Sequence, residues 1–157
     1  MKQLWAPWRM EYILKEKSDG CILCEKPEQD NDEANHILYR GDQNYIIMNS
    51  YPYNPGHLMI VPYRHIVSLE EMTDAERREH FDIVSRSLKT LRKLLNAEGF
   101  NVGINIGKTA GAGIEGHIHT HIVPRWHGDT NFTAVIADTR VIPEALAETY
   151  HKLKGKF

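Results

Sequence analysis

The stretch Gly116–Asp129, GHIHTHIVPRWHGD, sets His117, His119 and His121 at every second position. Successive side chains of a β-strand point to opposite faces, so a strand here puts the three imidazoles on one face. Ile118, Thr120 and Ile122 then take the other face and read as mostly core. β-Branched residues fill the gaps, which favours strand over helix, and Val123 and Pro124 mark the end of the run. A lone buried histidine is commonly a hydrogen-bonded core residue. Three in register read as a functional constellation, because each buried ring needs partners for both nitrogens.

Further strands are expected upstream of the row. HILYR (36–40) and YIIMN (45–49) flank a hairpin-like GDQN, and HLMIVP (57–62) follows a loop punctuated by Pro52, Pro55 and Gly56. FNVGINIG (100–107) alternates again, and the Gly-rich segment 108–116 leads into the row. Between these runs the apolar period changes. Thr73 and Glu76 suit a capping box, and Phe81, Val84, Leu88, Leu91 and Leu95 form one stripe of a helix over 73–95. Pro143 is placed to open a short terminal helix ending near Leu153. Short connections favour antiparallel pairing, and segregated helices favour an α+β fold over a doubly wound sheet.

The 157 residues suit a single domain, with residues 1–20 as an N-terminal arm. Within that arm Trp5 and Trp8 flank Pro7, and Arg9 to Leu14 suits a short helix. Cys21 to Cys24 reads as a turn after Gly20, and DNDEAN as a solvated segment. The formal net charge is −2, with no long basic run, which argues against a nucleic-acid coat. No apolar stretch approaches the roughly 20 residues of a membrane helix. The N-terminus lacks the continuous apolar core of a signal peptide, so the expected location is cytoplasmic.

Can the row bind one metal? A strand rises about 3.3 Å per residue, so the Cα atoms of His117 and His121 lie roughly 13 Å apart. Two neighbours can converge on an ion, whereas all three would strain to do so. Separate tasks fit better. Cys21 and Cys24 present two sulfurs at the C-x-x-C spacing of zinc sites. His65 and one histidine of the row would complete a Cys2His2 set; a reduced, unliganded pair is the alternative. A remaining histidine is suited to nucleophilic chemistry, since an imidazole with a free pKa of about 6.5 is largely neutral at pH 7. The Gly-rich loop just before the row can offer backbone N–H groups to an anion. A phosphorus centre attacked by histidine is the chemistry these features share.

These residues resemble the histidine triad (HIT) family, whose pattern is His-φ-His-φ-His-φ-φ with φ apolar. HIHTHIV matches it with Thr120 at the second φ. YIIMNSYPYNPGHLMIVPYRHI (45–66), NIGKTAGAG and PRW-GD-NF are similar to further blocks of the family, and LWAPWRMEYI is similar to a bacterial branch acting on diadenosine tetraphosphate. The resemblance implies a HIT-like antiparallel sheet with one long helix and a short C-terminal helix, and a homodimer. It implies cleavage of dinucleoside polyphosphates at the α-phosphorus, with His119 as nucleophile, His121 on the phosphate and His117 orienting the site. Nucleoside phosphoramidate hydrolysis and a zinc-stabilised binding module without turnover are the alternatives.

The resemblance further places Asn49 at the ribose, His57 as a supporting histidine, and Asn105, Gly111, Gly113 and His121 about the phosphates. Structural zinc would sit among Cys21, Cys24, His65 and His117. One departure bears on the reaction. Hydrolase branches carry Gln four residues before the first triad histidine, where this chain has Gly113. Its absence leaves room for phosphate as acceptor in place of water.

Overall fold

The alternating segments form one five-stranded antiparallel sheet, in the order β1-β2-β3-β5-β4. The structure is a computed structural model and describes residues 20–129, 142 and 144–157. Its strands are β1 (Ile37–Arg40), β2 (Asn44–Met48), β3 (Leu58–Pro62), β4 (Gly99–Ile104) and β5 (Thr120–Arg125). The helices are α1 (Ile22–Glu28), α2 (Asp32–Asn35), α3 (Asp74–Leu95) and α4 (Leu146–Leu153). The N-terminal arm, the helix expected at Arg9–Leu14 and the helix start expected at Pro143 lie outside the described residues.

Strands β2 and β3 are buried along their whole length, which is why they read as nearly continuous apolar runs. Ile46, Met48, Leu58, Ile60 and Ile122 face Ile83, Val84 and Leu91 of α3 and Tyr150 and Leu153 of α4. Tyr45, Ile47, Met59 and Val61 face the other way and pack with Leu23 of α1. Met59 pairs with His121 across β3 and β5, so the histidine row shares this second face. The long helix thus supports the sheet from behind while α1 closes one end of the functional face.

Helix α3 starts as its sequence requires. The Thr73 side chain accepts from the Glu76 N–H, and Glu76 returns a bond to the Thr73 N–H. Such a cap is worth about 1 kcal/mol. At the other end Asn96 takes the left-handed conformation, φ 51°, that Asn tolerates better than most residues.

Some expectations need correction. Phe81 is 52% exposed, and the buried side of α3 instead carries Glu76, His80, Ile83, Val84, Ser87 and Leu91. Cys21 is the N-cap residue of α1 and Cys24 lies within its first turn, so the pair sits on a helix start. Asp32–Asn35 makes a short helix. Strand β4 stops at Ile104, short of Gly107. Strand β5 runs through Pro124 to Arg125. Proline is tolerated there because β3 pairs with β5 only as far as Ile122, and the Pro124 carbonyl accepts instead from Asn54 Nδ2 at 2.9 Å.

Candidate functional site

His117, His119 and His121 follow one another at alternate positions, but the strand expected to hold all three begins only at Thr120: His121 lies in β5, and His117 and His119 lie in the segment just before it. His117 is 0% and His119 4% exposed, so their nitrogens are settled by protein groups. Each ring's tautomer follows from a partner that can act in only one sense. The His119 Nδ1–H donates to the His117 carbonyl at 2.8 Å, which leaves the Nε2 lone pair free. The His117 Nε2–H donates to the Pro62 carbonyl at 2.9 Å, which leaves its Nδ1 lone pair for other duty.

The third histidine is fixed at one remove. The Tyr53 backbone N–H donates to His57 Nδ1 at 3.1 Å. His57 must then carry its proton on Nε2, and that N–H donates to His121 Nδ1 at 2.9 Å. The His121 proton therefore sits on Nε2. The rings of His119 and His121 stand edge to face, 4.8 Å between centroids. A ring with a free lone pair and a ring that bears an N–H on Nε2 are thus neighbours.

Burial keeps these rings neutral. It lowers His119, against the effect of its bond to the His117 carbonyl. It brings His121 down to about 4, with the nearby His119 adding to the effect. His57 falls to about 3 through burial and then the charges His121 and His119 would carry. An uncharged imidazole retains the lone pair that nucleophilic attack needs.

Beside the row, Cys21, Cys24, His65 and His117 converge, with one potential ligand atom from each all within 4.8 Å of one another. His117 Nδ1 lies 3.4 Å from both sulfurs, and His65 Nδ1 lies 3.3 Å from Cys24 Sγ. Tetrahedral zinc with Zn–S near 2.3 Å and Zn–N near 2.0–2.1 Å would space sulfur from nitrogen by about 3.6 Å. The four residues therefore fit a structural zinc with only small adjustments. Donor chemistry agrees: the His117 Nδ1 lone pair points at the thiols, and its opposite N–H is held by a carbonyl, as in many metal-ligating histidines. Without an ion, burial and then Cys21 push the Cys24 thiol up to about 11.

The loop carrying His65 is anchored from α3. Arg64 donates from Nε and Nη2 to the two carboxylate oxygens of Glu76, at 2.9 and 2.8 Å. Behind the row runs a second network. The Thr120 hydroxyl donates to His80 Nε2 at 2.6 Å, the His80 Nδ1–H donates to Asn44 Oδ1 at 2.8 Å, and Asn44 Nδ2 donates to Glu79 at 3.0 Å. Apolar periodicity gave no sign of His80, although its wish for a buried partner is the physical counterpart of a Thr at the second φ.

The remaining expected residues are more dispersed. Asn49 follows β2 and is half-buried; its Oδ1 accepts from the Tyr51 N–H at 2.8 Å, which leaves its amide nitrogen and a second lone pair on that oxygen for a ligand. Asn105 follows β4, while Gly111 and Gly113 are exposed on the loop between β4 and β5, with Gly111 at φ 86°. Tyr53 was not expected. Besides fixing His57 through its backbone, its ring stacks over His121 at 6.1 Å.

A family model described as the HIT domain matches residues 30–128. AP-4-A phosphorylase of Mycobacterium tuberculosis is 38% identical, over 95% of this chain and 80% of that protein. The asymmetrical bis(5'-nucleosyl)-tetraphosphatase of Schizosaccharomyces pombe is 30% identical, over 61% of this chain and 52% of its own. Among solved structures, a Zn-bound histidine triad family protein from Mycobacterium smegmatis superposes with a TM-score of 0.70 at 27% identity, covering 87% of this chain and 92% of that one.

Proposed function

This chain belongs to the histidine triad (HIT) family, and from that we propose that it transfers a nucleoside monophosphate from a dinucleoside polyphosphate by way of His119. The observation that carries the reading is the pair of opposed tautomers: a free lone pair on His119 Nε2 beside an N–H on His121 Nε2. His119 Nε2 attacks the α-phosphorus, forming the P–N bond as the bond to the leaving nucleotide's oxygen breaks. The electron pair departs with that oxygen, and the His121 N–H steadies the charge that builds on the phosphoryl group. Asn49 offers its side-chain amide to the ribose, and Asn105, Gly111 and Gly113 border the phosphates.

The intermediate is then resolved by an acceptor. Gly113 carries no side-chain amide, and a Gly backbone N–H lets an anion approach closely. Phosphate is therefore the favoured acceptor, and the similarity to an AP-4-A phosphorylase supports the same choice. Cys21, Cys24, His65 and His117 would hold a zinc ion whose contribution is to the fold. A homodimer is part of the same proposal, on the family resemblance; a monomeric mass in solution contradicts this part.

Product analysis with diadenosine tetraphosphate tests the function. Phosphorolysis yields ADP and ATP at a rate that rises with added phosphate. AMP and ATP at a phosphate-independent rate would move the reading to hydrolysis, and no turnover under either condition would refute it.

A further inference from the structure

Beyond the histidine row, the functional face of the sheet continues into an open cleft of about 340 Å³ over β4 and β5. Tyr53, Asn101, Gly103, Asn105, His121 and Arg125 line it. Register explains the cleft. Gly103 pairs with His121, and Asn101 with Val123, so these residues project to the face that carries the row. A glycine opposite His121 leaves the floor low: a Cβ built at Gly103 meets no atom within 4 Å.

The cleft is polar but electrically balanced. Arg125 spends Nε and Nη2 on the two Asp129 carboxylate oxygens and Nη1 on Asn101 Oδ1, at 2.6, 2.9 and 2.7 Å. Its positive charge is thus offset, and each of its three nitrogens already makes a bond. Asn101 keeps its amide nitrogen for other partners, and Asn105 makes no side-chain hydrogen bond among the described residues. Such a surface suits an uncharged, heteroatom-rich group better than a further phosphate.

Position ties the cleft to one part of the substrate. Asn49 stands at the end of β2, on one side of the row, and β4 lies on the other. His121, alone of the three row histidines, lines the cleft. On the nucleotidyl-transfer reading, a group leaving the phosphorus past the His121 N–H would emerge there.

We propose that this cleft is the subsite for the nucleoside end of the departing nucleotide, with Gly103 as the residue that keeps it open. This rests on the nucleotidyl-transfer reading above. The bonds made and broken are unchanged; the cleft positions the leaving group and sets a preference for dinucleotides over small leaving groups.

The test is Gly103→Val. Valine suits a strand, and the space above Gly103 admits its side chain without a clash at Cβ. For wild type and variant, kcat/KM is measured on diadenosine tetraphosphate and on adenosine 5′-phosphoramidate, whose leaving group is only ammonia. The ratio of the two constants is expected to fall at least 10-fold in the variant. Gly103→Ala, a smaller intrusion, carries the same comparison with a smaller fall should the valine variant fold poorly. A ratio unchanged within experimental error in both variants overturns the subsite while leaving the triad chemistry in place. A wild-type chain that turns over neither substrate refutes the nucleotidyl-transfer reading, and the subsite with it.

Discussion

Thr120→Val probes the support behind the histidine row. Thr120 and His80 are each 1% exposed, and the hydroxyl donates to His80 Nε2 across 2.6 Å. Valine nearly matches threonine in shape, so little cavity forms. The change is chemical: a buried acceptor loses its donor. Burial brings His80 down to about 4, so at neutral pH the ring cannot recover by taking a proton. An unsatisfied buried group costs about 1–3 kcal/mol. For a chain of this length each kcal/mol lowers Tm by about 2–4 °C. The assay is urea unfolding at pH 7 and fixed free zinc, since a ligand that binds the folded state shifts the midpoint. The midpoint should fall while the slope holds. His80→Leu and the double variant complete a cycle, in which the pair should show a coupling of about 1 kcal/mol or more. A Thr120→Val loss below about 0.5 kcal/mol, the range of an ordinary surface substitution, would refute the reasoning.

Two further outcomes follow from the anchoring of the metal loop. Glu76 is held at about 2, first by its bonds to Arg64 and in spite of burial, against an ordinary value of 4.5. Its stabilisation is complete above the ordinary value and is lost as pH falls toward 2; Glu76→Gln should be less stable at pH 7 and show a shallower loss between about 4.5 and 2, and an unchanged acid profile speaks against the role. Cys21→Ser should lower zinc content and thermal stability together; wild-type protein isolated without chelator and free of zinc contradicts the metal assignment.

The row was legible from its period of two, although β5 begins only at Thr120, so of the three histidines His121 alone lies within the strand and His117 and His119 precede it. The convergence of Cys21, Cys24, His65 and His117 was legible in part: the C-x-x-C spacing pointed to His65 and some histidine of the row, and only the family resemblance singled out His117. The tautomers were not. They are set by the carbonyls of His117 and Pro62 and the N–H of Tyr53, groups every residue possesses and no side-chain pattern reports. The stripe on α3 misplaced Phe81 for a related reason. Counting apolar residues passes over His80 and Ser87, which face inward, with Thr120 as the histidine's partner. Pro124 read as a strand end because the sequence does not say where β3 stops. The cleft beside β4 escaped notice because its floor is a glycine, which in sequence looks only like a weak strand residue.

The most direct measurement is turnover of diadenosine tetraphosphate by His119→Ala, with zinc content and nucleotide binding followed in the same preparation. In the proposed reaction His119 supplies the attacking lone pair, whereas zinc would be held by Cys21, Cys24, His65 and His117. The account predicts that turnover is abolished while zinc and nucleotide binding are largely retained. Turnover at the wild-type rate in that variant would contradict it.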